Sequence, residues 1–233
     1  MSSQFNNWIK VGSGATGIVY KDPNSLTAVK ISDINYICSK NKREYNIIKN
    51  ITDSIPKLDF IHIVTIYDFF DQDSYCYMLM EYIPPLININ GMANQIFFAD
   101  IGAKIYKLDT KRGWQLGYQT LIDMKQLTLE EVHILLAQMS QMIAYIHYQT
   151  KYDGFDIEYI ISSDKNIYLI DFEQVTKIEN FELNIKYLAY SLINQIFFPQ
   201  LGDSLFPIFE DNYLMIADQL HFGHIARAVI AEM

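Results

Sequence analysis

Residues 11–30 read VGSGATGIVYKDPNSLTAVK, and the fold turns on whether these glycines open a helix or a hairpin. Gly12, Gly14 and Gly17 match G-x-G-x-x-G, and Val19 stands two residues further on. Dinucleotide-binding folds use the same glycines but begin a helix directly after them. Here Ile18, Val19 and Tyr20 lead instead into a turn at Pro23 and Asn24, and then into a second β-branched run containing Val29 and Ile31. The pattern predicts strand, glycine turn, strand, turn, strand. Such a turn suits a flap whose backbone amides cover phosphates. Taken alone, it fits an ordinary glycine-rich hairpin as well.

The neighbouring residues extend the reading. Ala28 and Lys30, in TAVK, place a cation at the end of the third strand, within reach of phosphate oxygens under the flap. In SKNKREYNIIKNI, residues 39–51, Tyr45, Ile48 and Ile51 recur at helical spacing, so Glu44 lies on a helix from which it can pair with that cation. HIVTIYDFF and YCYMLMEYI flank the polar DQDS, the signature of a hairpin. Five strands and one helix are thus expected in residues 1–83, and Pro84 and Pro85 mark a boundary before residues 84–233.

Composition bounds the function. Half of the 233 residues are hydrophobic and 19% are charged, enough apolar surface for a sizeable core. A net charge of −9 argues against nucleic acid or an anionic membrane as partner. The first residues show no secretory pattern, and no apolar run reaches membrane-spanning length, so a cytoplasmic protein is expected. Two cysteines, Cys38 and Cys76, are too few for a zinc site by themselves, and their spacing suggests no disulfide framework, which fits a reducing compartment.

In the second half, NQIFFADI and AKIYKLD suggest a short hairpin. Thr128 and Glu131 form a capping box, followed by an apolar stripe of Val132, Leu135, Leu136, Met139, Ile143 and Ile146. FDIEYIIS and NIYLIDF read as a strand pair. The last 50 residues read as mostly helical, with Pro199 and Pro207 as breaks.

The ordered set of flap, A-x-K and helical glutamate resembles the N-lobe of the protein kinase superfamily. That resemblance implies an α+β, two-lobed kinase-like fold, with a five-stranded antiparallel N-lobe sheet plus one helix and a reduced, mainly helical C-lobe. It makes Met80 the gatekeeper, and it places the backbones of Glu81 and Ile83 against an adenine edge. In the family's simplest arrangement the catalytic-loop aspartate lies 18 residues before the metal-binding one. Asp153 lies 18 residues before Asp171, and Glu158 takes the place of the second metal ligand, usually Asn. The implied chemistry uses ATP and Mg²⁺. Asp153 would act as the base, Lys30 would orient phosphates, Glu44 would orient Lys30, and Asp171 and Glu158 would hold metal. Asp156 stays open between base, ligand and loop cap.

Several departures accompany the likeness. Lys151 and Tyr152 stand where the family has His and Arg, Phe155 replaces a phosphate-contacting lysine, and Glu173 replaces the glycine of D-F-G. Only 62 residues follow Asp171, and no A-P-E motif is present. Glu173 suggests a segment held in one conformation. EYIPPL, RGWQLGY, AYIHY, YDGFDIEYII and LIDFEQV together resemble an uncharacterised kinase-like family with I-P-P-L, D-x-x-D-V-E-F-V-L and I-D-F-N-Q segments. The expected function is an atypical kinase acting on a protein or small-molecule hydroxyl. The alternatives are a pseudokinase that binds nucleotide or a protein partner without transfer, and a nucleotidyl transferase.

Overall fold

The computed structural model describes residues 5–14, 16–32, 35–72, 74–88, 93–99, 115–194 and 197–233. The fold is α+β. Strands β1 (Ile9–Gly14), β2 (Gly17–Lys21), β3 (Thr27–Ser32), β5 (Ile66–Gln72) and β6 (Tyr75–Glu81) form an antiparallel sheet in the order β1-β2-β3-β6-β5. The glycines of residues 12–17 thus join two strands of a hairpin and open no helix.

The register of this sheet aligns the candidate residues. Gly12 is opposite Val19, Val19 opposite Lys30, Lys30 opposite Met78, and Ala28 opposite Met80. Because side chains alternate along a strand, Val19, Ala28, Lys30, Met78 and Met80 share one face. The other face carries Tyr20, Val29, Ile31, Tyr77 and Leu79, which pack with Phe5 and Trp8 in a small core of their own.

Helix α1 (Asn35–Ser54) follows β3. Its Ile47, Ile48 and Ile51 are buried in the larger core, which also holds most of the second half of the chain. The helix therefore bridges the first sheet and the rest of the molecule.

The second half is less purely helical than its sequence suggests. Strands β4 (Ile61–Ile63), β7 (Asn94–Phe97), β8 (Gln115–Gly117), β9 (Glu158–Ile161) and β10 (Ile167–Ile170) form a second five-stranded sheet in the order β4-β10-β9-β7-β8. The predicted β9–β10 pair is present and antiparallel. HIVTIYDFF, read as one strand, is divided. Ile61–Ile63 runs parallel to β10, and β5 starts only at Ile66. A segment from residues 1–83 therefore completes the sheet of the later part, a long-range pairing invisible to local pattern. NQIFFADI supplies β7, which pairs with β8 and β9. AKIYKLD lies outside the described residues.

Short α2 (Tyr118–Asp123) precedes α3 (Leu129–Tyr148), which begins at the expected capping box of Thr128 and Glu131. All six stripe residues of α3 are buried. Helices α4 (Phe181–Ile193), α5 (Phe206–Gln219) and α6 (Gly223–Ala231) complete the chain. Pro207 does not break a helix but sits in the first turn of α5, where its missing N–H costs no hydrogen bond. No helix of the described residues is long and apolar enough to cross a membrane.

The cysteines depart from expectation. Cys38 at the start of α1 and Cys76 on β6 form a disulfide. Their separation of 38 residues gave no hint of pairing, because only the packing of α1 against β6 brings them together. Closing a loop of that length is worth about 4 kcal/mol by chain entropy. Reduction is expected to lower the urea unfolding free energy by about that amount, and Cys38→Ser should be insensitive to reductant.

Candidate functional site

Lys30 Nζ donates to Glu44 Oε2 at 2.8 Å, joining β3 to α1, and both side chains are largely buried. Burial opposes the charge of Lys30, but Glu44 and then Asp171 outweigh it and hold the ammonium above its ordinary pKa. Glu44 also accepts from the backbone N–H of Phe172 through Oε1 at 3.3 Å. One helical carboxylate thus ties the first sheet to the segment after β10.

Two further α1 residues grip that segment. Lys40 pairs with Glu173 at 2.9 Å, and Arg43 donates to the carbonyls of Glu173 at 2.6 Å and Val175 at 2.5 Å. Lys40, Arg43 and Glu44 lie within a turn and a half of one helix and all meet residues 172–175. Glu173, singled out as a departure, is one anchor of this clamp.

Asp171 and Glu158 meet at one end of the β9–β10 hairpin. Glu158 is opposite Ile170 in the register, and Asp171 is the next residue. Gln95, buried on neighbouring β7, hydrogen-bonds Glu158. Burial raises the pKa of Asp171 despite the pull of Lys30, while burial and then the charge of Asp171 raise that of Glu158. Asp171 holds a φ of 58°, a region few non-glycine residues occupy and one that concentrates at functional sites. Two crowded, partly desolvated carboxylates that repel one another suit a divalent cation. Their hard oxygen donors fit Mg²⁺.

The loop between α3 and β9 carries Asp153 and Asp156. Asp153 is fully buried. Its Oδ1 accepts from the backbone N–H groups of Phe155 at 3.1 Å and Thr176 at 2.9 Å. Its Oδ2 accepts from the Thr176 hydroxyl and, at 3.1 Å, from the Tyr187 hydroxyl. Next to it Gly154 has φ +62°, a left-handed conformation that glycine adopts without the strain a side chain would bring.

A buried relay supports the same loop. The Asp153 carbonyl can only accept, so His147 Nε2–H donates to it at 2.9 Å, and Nδ1 receives the Tyr213 hydroxyl at 2.8 Å. Tyr148 in turn donates to Tyr213 at 2.8 Å. Burial lowers the His147 pKa from 6.5 to about 4. The folded state therefore binds fewer protons than the unfolded chain between these values. The stability contribution is complete above pH 6.5 and is lost as pH falls toward about 4, a change of about 3 kcal/mol. Urea unfolding at pH 7 and pH 4.5 should show this loss, and the His147→Asn variant should show a shallower dependence.

The remaining candidates line the first sheet. Met80 is half-buried against the large core. The Glu81 N–H donates to the Thr65 carbonyl at 3.0 Å, and its carboxylate accepts the Thr65 N–H, so its carbonyl is what it can offer a ligand. Ile83 follows in the irregular stretch before Pro84. The flap glycines differ. A Cβ on Gly17 would lie 2.7 Å from the Ile31 carbonyl, so the fold requires glycine there. A Cβ on Gly12 would meet only Val19 Cβ at an ordinary 3.8 Å, so packing does not account for that glycine. Between them the Thr16 carbonyl accepts from the Ser32 hydroxyl and from Asn41 Nδ2 at 3.3 Å, which ties the flap to α1.

Lys30, Glu44, Asp171 and Glu158 are thus brought together from four separate elements or their ends. Gln95, Lys40, Arg43, Gly154 and Thr176 join them without having been singled out from sequence. Only the glycine carried a local signal, as a turn former beside an aspartate. No protein-family model matches the chain, and no curated protein matches it.

Proposed function

We propose that the chain is an ATP- and Mg²⁺-dependent phosphotransferase with a two-lobed, kinase-like architecture, acting on a protein or small-molecule hydroxyl. The observation that carries this reading is the convergence of the Lys30–Glu44 pair with Asp171 and Glu158 across the junction of the two sheets. A phosphoryl transfer asks a protein mainly to position groups and neutralise charge. Lys30 orients phosphate oxygens and Glu44 fixes Lys30. Asp171 and Glu158 are the metal-holding pair, with Gln95 orienting Glu158. When bound, Mg²⁺ supplies charge neutralisation on the β- and γ-phosphates.

Gly12 and Gly14 keep side chains out of the space over the phosphates, while Gly17 lets the flap close onto β3; the spare room at Gly12 supports this. Val19, Ala28 and Met80 share the face that would meet the base, with the backbones of Glu81 and Ile83 at its edge. The test compares the native chain with Asp171→Ala, using calorimetric titration with Mg-ATP and transfer from γ-labelled ATP. Binding and transfer should both fall by at least tenfold in the variant. Equal values in the two proteins would remove the reading.

A second reading, a nucleotide-binding module without transfer, is favoured by the engagement of both oxygens of Asp153. Binding of Mg-ATP with no label transferred to any acceptor would select it.

A further inference from the structure

We propose that Asp156, not Asp153, is the carboxylate that receives the acceptor hydroxyl, an inference that rests on the phosphotransferase reading above. Each oxygen of Asp153 already accepts two hydrogen bonds, and the residue is fully buried. Its backbone carbonyl is also engaged, by His147 and by Ser191 Oγ at 3.4 Å. A carboxylate oxygen with two donors has no lone pair to offer, and Asp153 has no exposure to solvent. Asp153 is a strut of the loop.

Asp156 is the opposite case. It is exposed, and among the described residues only its Oδ2 is engaged, by Gln174 Nε2. Its φ of 62°, just before β9, is a conformation that non-glycine residues seldom adopt. Gln174 is three residues after Asp171, so the bond fastens Asp156 to the segment that carries the metal-holding carboxylate. Asp156 also lies two residues before Glu158 at the start of β9, so chain connectivity on one side and the Gln174 bond on the other set it beside the metal-holding pair. Of the two loop aspartates, Asp156 is thus the one with an oxygen open to an acceptor arriving from solvent.

In the step this implies, the acceptor oxygen forms a bond to the γ-phosphorus while the bond from that phosphorus to the bridging oxygen of ADP breaks. ADP leaves with the electron pair, and the hydroxyl proton passes to Asp156 Oδ1 and then to water. Gln174 is a positioning residue that keeps Oδ1 turned toward the acceptor.

The experiment uses the full chain with Mg-ATP, and with water, casein and the chain's own hydroxyls as acceptors. Asn is among the residues that best tolerate positive φ, so Asp156→Asn should keep its fold. Its kcat should fall by roughly 10²–10⁴, while Mg-ATP affinity measured by calorimetry stays within threefold. Asp156→Ser, of different size, should show the same loss. Gln174→Leu should lower kcat by about tenfold with the KM for ATP unchanged, a split that general destabilisation would not give. Transfer by Asp156→Asn within threefold of the native chain overturns the assignment and leaves the phosphotransferase reading intact. A native chain that binds Mg-ATP but labels none of the three acceptors overturns both.

Discussion

Asp153→Ala should destabilise the protein by about 4 kcal/mol, the sum expected when several buried donors lose their acceptor. The truncation strands the N–H groups of Phe155 and Thr176 and the hydroxyls of Thr176 and Tyr187, at a position with no exposure to water. For a chain of this size that corresponds to a fall in Tm of about 10 °C. Asp153→Asn should cost less than half as much, because an amide oxygen still serves the two backbone donors and the hydroxyls can rotate to accept. Urea unfolding of both variants decides the matter. A loss under 1 kcal/mol for Asp153→Ala would mean that the loop does not depend on this carboxylate.

The second large effect is expected at Glu44. Removing one partner of a buried ion pair typically costs 3–5 kcal/mol, because the other charge stays behind without compensation. In Glu44→Ala the Lys30 ammonium loses its direct partner and keeps only the weaker pull of Asp171 and Glu173, and the Phe172 N–H loses its acceptor. We expect about 3 kcal/mol of lost stability and at least a tenfold loss of Mg-ATP affinity, since Lys30 is then drawn toward Asp171. Glu44→Gln retains the bond to Phe172 and should recover part of the stability but not the affinity. Unfolding and calorimetric titration of the two variants separate these effects. Unchanged affinity in Glu44→Ala would detach the ion pair from the proposed nucleotide site.

Local chemistry made much of the first sheet legible. The alternation around Val19, Val29 and Ile31 and the turn residues between them sufficed for β1 to β3, and the capping box located the start of α3 to the residue. The second sheet was harder. Ile61–Ile63 and Asn94–Phe97 are short, and their partners lie about a hundred or sixty residues further along the chain, so no local period distinguishes them from their surroundings. The disulfide was hidden for the same reason.

The site divides in the same way. Gly17, Lys30, Glu44, Glu158 and Asp171 stand out in the sequence at the spacings that the resemblance to the protein kinase superfamily implies. The sequence alone thus determined which residues carry charge and roughly on which element each sits. Only the tertiary structure decided which of the two loop aspartates faces solvent. Asp153 and Asp156 are the same residue three positions apart, and the difference between strut and open carboxylate comes from donors on Thr176 and Tyr187, more than twenty residues away. It likewise decided what holds residues 172–175, since Lys40 and Arg43 look like solvated helix charges until the packing of α1 turns them onto that segment. Spacing fixes chemistry along a chain, but burial and hydrogen-bond saturation are properties of what the folded chain places around each group.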